Sequence, residues 1–539
     1  MGMKKFLLFL MAIILQTIPV WSQSAGVFYS YNNDMESDEE WMEVSGFSDD
    51  VEDIVISSSV TYEGRALPVL YITASGVQGK AMKSITIPAS IESCNYDFTH
   101  NTALEKVIVP NLTSWCDIYF NQKEYNPLFT AHHLYSDKDT EITDLQIPYD
   151  VKYVGSWAFA GCTAIETLVF YSPLTNMGGG SFMGCSSLSR VVASKDNPFN
   201  LYSSVFAGIS PDAILVVPAG TKALYQSASW ESSFSKIVEA GTSATIGDYT
   251  YAINAAGTGA SVKANTTSVT ALDFLSNVAI DGIAFPVTEI KSISNCTALR
   301  EVVVPNHITY IGKQAFFGCT GITSVNFEDS DKPLKLNSNK YSDGAGGGLF
   351  ENANNLTSAY IGRNLTLETN YTTTRQWECA PFYCSSGSNL SAVTFGSEVT
   401  NICDYLLYGC SKLTSVTVRR TEPAGITTSA IPNRSNATLY VPAGSKPSYA
   451  TTDVWKGFKK IIETGDANGD GSITITDAVA IVNKILGNES ADFDFNAADV
   501  NGDGEITITD AVGVVNIILG GNVPGAPTME APTGMMEVE

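Results

Sequence analysis

Two stretches near the end of the chain carry oxygen-bearing side chains at alternate positions. They are Asp466, Asn468, Asp470, Ser472 and Thr474 with Asp477, and Asp499, Asn501, Asp503, Glu505 and Thr507 with Asp510. Glycine stands sixth in each twelve-residue run, at Gly471 and Gly504. Hard oxygen donors at positions 1, 3, 5, 7, 9 and 12, with glycine at the sharp turn, match what a Ca²⁺ ion takes from a single loop. Positions 1, 3 and 5 offer side-chain oxygens, and position 7 (Ser472, Glu505) offers its backbone carbonyl. Position 9 (Thr474, Thr507) acts directly or through water, and the aspartate at 12 closes the site. The stretch I-T-I-T-D-A-V is identical at 473–479 and 506–512. Such a duplication is not a chance acidic run, and it predicts two ions. Between Asp466 and Leu519 the carboxylates face one base, Lys484. Without metal their repulsion opposes the turn, so the ions are expected to supply folding energy that so short an apolar core lacks.

Other residues capable of chemistry are scattered. The four histidines, 100, 132, 133 and 307, show no metal-ligand spacing with one another or with Cys or Glu, and His132 and His133 are expected on opposite faces of a strand. The chain has no G-x-S-x-G elbow, P-loop or H-E-x-x-H. An acidic run from Asp34 to Asp53 contains no Lys or Arg and reads as a solvated edge or cap loop. Tyr29, Tyr31, Trp41 and Trp115 are candidates for stacking on sugars, with the core as the bland alternative. No catalytic constellation is expected.

The elements that must position the loops are legible on both sides. Each loop runs into an apolar helix, through Val479, Ile481, Val482, Ile485 and Leu486 and through Val512, Val514, Val515, Ile517 and Ile518, while no comparable helix precedes the first loop. Upstream, residues 154–170 and 311–327 share the pattern V/I-G-x-x-A-F-x-G-C-x-x-I-x-x-L/V-x-F, with shorter echoes at 182–191, 294–305 and 407–418. Cys162 to Cys185 and Cys296 to Cys319 are both steps of 23 residues, a solenoid period. Alternate apolar residues in L-x-x-V-x-V line the inner face of a short strand, and stacked strands make a parallel sheet. The A-F-x-G-C segment turns the chain, and its Phe plugs the coil interior.

Cys162, Cys185, Cys296, Cys319 and Cys410 fill one repeat position, which Asn101 fills in an earlier coil; Cys94 and Cys403 fall where other coils have Gly155 and Gly312. These seven are expected to be buried free thiols; the shared Cys/Asn position resembles the N/C position of a leucine-rich repeat, where the side chain satisfies buried loop backbone. Cys379 and Cys384 are open to bridging, and Cys116 to either state.

A larger duplication frames the repeats. Residues 60–69 match 278–287 around Glu63-Gly64 and Asp281-Gly282, a β-hairpin signal. Residues 217–222 match 441–446, and each copy continues through a Tyr (225, 449), a Trp (230, 455) and Lys-Ile (236–237, 460–461) to Gly241 or Gly465, as a terminal cap would. The division is cap, repeats, cap, twice: arrays over 27–241 and 242–465, the duplicated loop module over 466–521, and a flexible tail over 522–539.

Composition bounds the rest. At 539 residues the chain is long enough for three or four domains. A net charge of −25 disfavours nucleic-acid and anionic-membrane partners. With 44% hydrophobic and 16% charged residues and 44 glycines, it is neither disordered nor a helical bundle. Lys4 and Lys5, an apolar run from Phe6 to Leu15, and Pro19 before Ser22 read as a secretory signal peptide over 1–22, with no lipobox Cys and no later membrane span.

Those repeat and loop residues resemble two families. The I-G-x-x-A-F-x-G-C motif resembles the BspA-type leucine-rich repeat proteins of bacterial surfaces and secretions, over most of 27–465. The tandem loop-then-helix module resembles a type I dockerin. The fold class implied is an α/β-type, β-rich repeat solenoid with parallel sheets in two arrays, followed by a small all-α Ca²⁺-loop domain. Dockerins bind cohesin domains, often through a Ser/Thr pair at loop positions 10 and 11. Here those positions hold Ile475-Thr476 and Ile508-Thr509, which are carried over as partner-binding residues. The function implied is a secreted or cell-surface, non-enzymatic binding or adhesion protein. Its repeats would meet a host protein or glycan, and its module a cohesin-like partner. The alternatives are a spacer component of a cohesin–dockerin assembly and, last, a glycan-active enzyme.

Overall fold

The computed structural model describes residues 19–20, 26–34, 39–74, 79–337, 348–368, 380–488 and 490–520. Residues 1–18 and 21–22 of the expected signal peptide, the tail from 521 onward, Cys379 and residues 338–347 therefore lie outside the described residues. The chain divides into two compact units, one of residues up to 242 with 253–258, the other of 243–252 with residues from 259 onward.

The first unit opens with an antiparallel ribbon, Val27–Asn33 against Glu40–Phe47, so the acidic run belongs largely to a paired strand and its flanks rather than to a loop. Its carboxylates find bases and hydroxyls from later coils. Arg65 pairs with Glu40, Lys83 with Glu52 at 2.8 Å, and Ser84 donates to Asp53 at 2.7 Å. The hairpin expected at Glu63-Gly64 joins Ser59–Tyr62 to Arg65–Ile72; both turn residues have positive φ, 50° and 80°, as a two-residue turn of this hand requires. Parallel coils follow. The strands Asp144–Gln146, Thr167–Tyr171, Arg190–Ser194, Ile214–Val217 and Lys236–Glu239 pair in that order, all parallel. Their inward row, Leu145, Leu168, Val191, Leu215 and Ile237, is buried in one continuous core, and each such side chain contributes about 1.5–3 kcal/mol.

The second unit repeats this plan. Asn277–Ile280 and Ile283–Ser292 form its hairpin across Asp281-Gly282. Seven parallel strands then run Glu301–Val304, Ser324–Phe327, Ser358–Ile361, Ala392–Phe395, Ser415–Val418, Thr438–Val441 and Lys460–Glu463.

Inside each array the turn-segment phenylalanines stack. Phe159–Phe182 and Phe182–Phe206 lie 5.1 and 5.6 Å apart, and Phe316–Phe350 and Phe350–Phe382 lie 5.3 and 5.5 Å apart. Both arrays close with the same Tyr–Trp pair. Tyr225 and Trp230 donate to the carbonyls of Lys195 and Phe199; Tyr449 and Trp455 donate to those of Arg420 and Ala424. A buried ring thus satisfies backbone at the end of the stack.

All nine described cysteines are unpaired, and eight are buried. The Cys185 and Cys319 thiols donate to the carbonyls of Phe159 and Ile293, at 3.2 and 3.0 Å. Cys384, open to bridging on sequence, donates in the same way to Phe350 O at 3.4 Å, because Ala380-Pro381-Phe382 fills the place of A-F-x-G-C. Asn101 does the same work as an amide, donating to Gly79 O at 3.0 Å. Burial pushes Cys162 and Cys319 up to about 12 and Cys185 well above the ordinary thiol range. Thiolate, the reactive form, is therefore suppressed. Iodoacetamide applied to the folded chain at pH 8 is expected to leave Cys162, Cys185 and Cys319 unmodified and to label all three after guanidinium unfolding. Labelling in the folded state, or a disulfide-linked peptide containing any of them, would contradict this.

Candidate metal-binding module

The last array strand, Lys460–Glu463, leads within three residues into Asp466. Gly465, at φ 108°, makes the corner. The first loop then runs into the helix Ile475–Ile485, and the second, entered from a short helix Phe495–Ala498, runs into Ile508–Ile518. The two long helices pack through Ala478, Ile481, Ala511 and Val514. The short helix carries no apolar periodicity in so few residues. Its signal was Asp494, which caps it by accepting from Asn496 N and Ala497 N.

Each loop is wound by its own oxygens. Asn468 Oδ1 accepts from Asp470 N at 2.9 Å and Asp470 Oδ1 from Ser472 N at 2.9 Å. Asn501 Oδ1 and Asp503 Oδ1 repeat this with Asp503 N and Glu505 N at 3.0 and 2.8 Å. Gly469, Gly471, Gly502 and Gly504 all have positive φ. The closing aspartates are fully buried. Asp477 accepts from Asn468 N and Thr474 N, and Asp510 from Val500 N, Asn501 N and Thr507 N. They tie the start of each loop to the helix it feeds. Thr474 and Thr507, read from sequence as ninth-position donors, also cap the helices, accepting from Thr476 N and Thr509 N and forming capping boxes with Asp477 and Asp510.

The position-1 aspartates differ from the others. Asp466 is 3% exposed; Oδ2 accepts from Gly471 N at 3.1 Å, but Oδ1 is buried without a hydrogen-bond partner. Asp499 accepts from Gly502, Asp503 and Gly504 N–H groups. Burial raises the pKa of both, and neighbouring aspartates raise it further: Asp477 and Asp470 for Asp466, Asp510 and Asp503 for Asp499. Among the described residues no three His, Cys, Asp or Glu side chains converge as a closed ligand cluster; the loops juxtapose carboxylates with amide, hydroxyl and carbonyl oxygens instead. An orphaned buried carboxylate oxygen amid raised acids and all-oxygen donors is a set that a hard divalent cation fits.

The four positions expected from the sequence to meet a partner lie on the outer faces of the helices. Ile475 and Ile508 are 61% and 63% exposed, and Thr476 and Thr509 are also exposed. Val479 and Leu486 continue the stripe on the first helix, Val512 and Leu519 on the second, all exposed.

The histidines do not assemble. His132, expected on a strand, is instead the C-cap of the helix Leu128–Ala131 at φ 65°, its Nδ1 2.8 Å from Gly161 O, whereas His133 Nδ1 meets Glu141. Pro127 starts that helix, so the strand begins only at Leu134. Tyr29 and Trp115 are buried and bonded to Ser57 N and Ala158 O, and Tyr31 is stacked on Tyr62.

The model of the BspA type leucine rich repeat region matches residues 133–257, 261–346, 288–421 and 363–438, more than half of the chain. The chain belongs to the BspA-type leucine-rich repeat family. Residues 464–519 match the dockerin type I domain. No curated protein matches. Among solved structures, the chain is similar to a leucine-rich repeat protein from Bacteroides ovatus ATCC 8483, at 16% identity over 81% of this chain and 98% of that one, TM-score 0.25. It is also similar to a leucine rich cell surface protein from Faecalibacterium prausnitzii A2-165, at 15% over 74% and 94%, TM-score 0.21. A third is the pneumococcal vaccine antigen PcpA, at 13% over 83% and 99%, TM-score 0.22.

This BspA-type protein thus couples repeat arrays to a dockerin domain, a class that binds calcium and pairs with cohesin. Replacing Asp466 and Asp499 together by Ala is expected to abolish the Ca²⁺-dependent gain in protease resistance of residues 466–520 while the arrays keep their melting transition. Thr474→Ala should cost about 1 kcal/mol of module stability through the lost cap, read by denaturant unfolding in Ca²⁺.

Proposed function

We propose that this is a secreted, non-enzymatic binding protein. Its repeat arrays meet an extracellular host protein or glycan, and its dockerin module holds it, through two Ca²⁺ ions, to a cohesin-like partner. Asp466, Asn468, Asp470, Ser472, Thr474 and Asp477 hold the first ion; Asp499, Asn501, Asp503, Glu505, Thr507 and Asp510 hold the second. The ions supply charge neutralisation, and the chain's residues do the rest: the aspartates at 12 fix loop to helix, and the helices present their outer stripes.

The observation that carries the attachment role is the matched pair of exposed apolar stripes, Ile475, Val479 and Leu486 on one helix and Ile508, Val512 and Leu519 on the other. Apolar side chains left so far in water on two short helices mark a surface that another protein covers. Ile in place of a hydroxyl residue at position 10 makes that surface apolar, and the partner face must be apolar in turn. Thr476 and Thr509 supply the adjoining hydrogen bonds.

Three facts support the remainder. Among the described residues no helix is long and apolar enough to cross a membrane. The buried thiols, with their raised pKa, suit a compartment that would oxidise an exposed cysteine. His132 and His133 engage different groups, Gly161 O and Glu141, and His100 is exposed, an arrangement that suits a binding role.

Because each helix carries its own stripe, either one suffices for attachment. With a purified type I cohesin domain as probe and Ca²⁺ present, Ile475→Asp or Ile508→Asp alone should weaken binding to the full chain by only about twofold, and the double variant should remove it. Undiminished binding by the double variant would refute the stripe as the contact. For the arrays, a glycan and extracellular-matrix array probed with the full chain should give signals that survive the double variant. Signals that vanish with it would reduce the arrays to spacers.

A further inference from the structure

The strands of both arrays have an outer row as well as an inner one. In the first array the outer row is Gln146, Val169, Val192, Val216 and Val238, in register. The last three are 1–2% exposed, although they point away from the coil interior. The segment 253–258 covers them: a Cβ on Gly257 would fall 2.6 Å from Val192 and 2.9 Å from Val216, and Arg190 donates to Thr258 O at 2.8 Å.

In the second array the outer row reads Val303, Asn326, Tyr360, Thr394, Thr417, Tyr440 and Ile462. It is mostly polar until the last two strands. There Tyr440 and Ile462, the counterparts of Val216 and Val238, are 5% and 2% exposed and bury Ala497 of the short dockerin helix between them. Tyr440 donates to Asp494 Oδ2 at 3.1 Å, and Asn496 Nδ2 lies 3.4 Å from the Tyr440 hydroxyl. Gly465 N donates to Ala497 O at 2.7 Å, and Asp494 N to Ala467 O at 2.9 Å. One seam therefore fixes the residue before Asp466 and the helix whose C-cap is Asp499, the first ligand of each loop.

The charges agree with the packing. Arg419, lying over the Tyr360 ring, donates to Gly502 O at 3.1 Å, and Lys460 Nζ lies beside Gly469. Gly469 and Gly502 are both fourth in their loops. Two array cations thus flank the same position of the two acidic loops, against which the module itself sets only Lys484.

We propose that the outer face of the last two strands of the second array is a docking surface for the dockerin module of the same chain, so that filling the loops with Ca²⁺ and covering that face are one coupled event. The proposal rests on reading the loops as Ca²⁺ sites. The module is held against that face while its cohesin-facing stripes stay exposed. Coupling is reciprocal: whatever Ca²⁺ adds to the seam, the seam adds to Ca²⁺ affinity.

Hydrogen exchange of the full chain in EGTA and in Ca²⁺ tests this. Ca²⁺ is expected to slow exchange in Thr438–Val441 and Lys460–Glu463 as well as in the loops. Tyr440→Val, which installs the residue that the first array carries at the matching place, should make the strands insensitive to Ca²⁺ and lower Ca²⁺ affinity by about tenfold. Ala497→Arg, which forces a charge into the seam from the module side, should do the same. Ca²⁺-dependent protection confined to the loops of the wild-type chain would overturn the coupling and leave the Ca²⁺ reading intact. No Ca²⁺ effect anywhere would overturn both.

Discussion

A coil of this solenoid has no core of its own. It buries one short apolar row and one Phe, and both need a neighbouring coil above and below. Its turns also leave backbone carbonyls facing inward, where each unsatisfied group costs about 1–3 kcal/mol. The Cys or Asn of the repeat position answers the second demand, donating into the coil before it; the stacked phenylalanines answer the first. Everything at the ends follows from that dependence. The Tyr–Trp caps exist because the last coil has no successor.

The module reverses the balance. Its core is a few alanines, valines and isoleucines, and its loops gather carboxylates whose burial already holds two of them above the ordinary pKa. Cation binding relieves that repulsion, and array contact through Tyr440 and Ile462 adds the apolar surface that the module lacks. What remains uncovered is the pair of helical stripes. Fold and function meet there, because the same windings that close the loops start the helices that present Ile475 and Ile508.

Much of this was legible in the chain itself, for physical reasons. The repeat motif is periodic because every coil solves the same problem, and the Glu63-Gly64 and Asp281-Gly282 turns are local. The loop ligands are local too, within twelve residues. What escaped depends on distance or on exceptions. Cys384 does the repeat thiol's work within Ala-Pro-Phe-Tyr-Cys, which lacks the motif's glycine. His132 ends a helix because Pro127 starts one, against a strand expectation. The Asp34–Asp53 run finds its bases in coils some 25 to 31 residues on. The seam of Tyr440 with Asp494 spans 54 residues and leaves no periodic trace; only the adjacent buried pair Tyr440 and Ile462 at the end of a mostly polar outer row points to it.

The central claim is that two duplicated loops in this BspA-type chain bind calcium and that attachment depends on it. Isothermal titration of the metal-free full chain with Ca²⁺ tests it most directly. Two ions bound per chain, both lost in the Asp466→Ala and Asp499→Ala double variant, is the predicted result. Absence of saturable binding, or binding that survives the double variant, would contradict it.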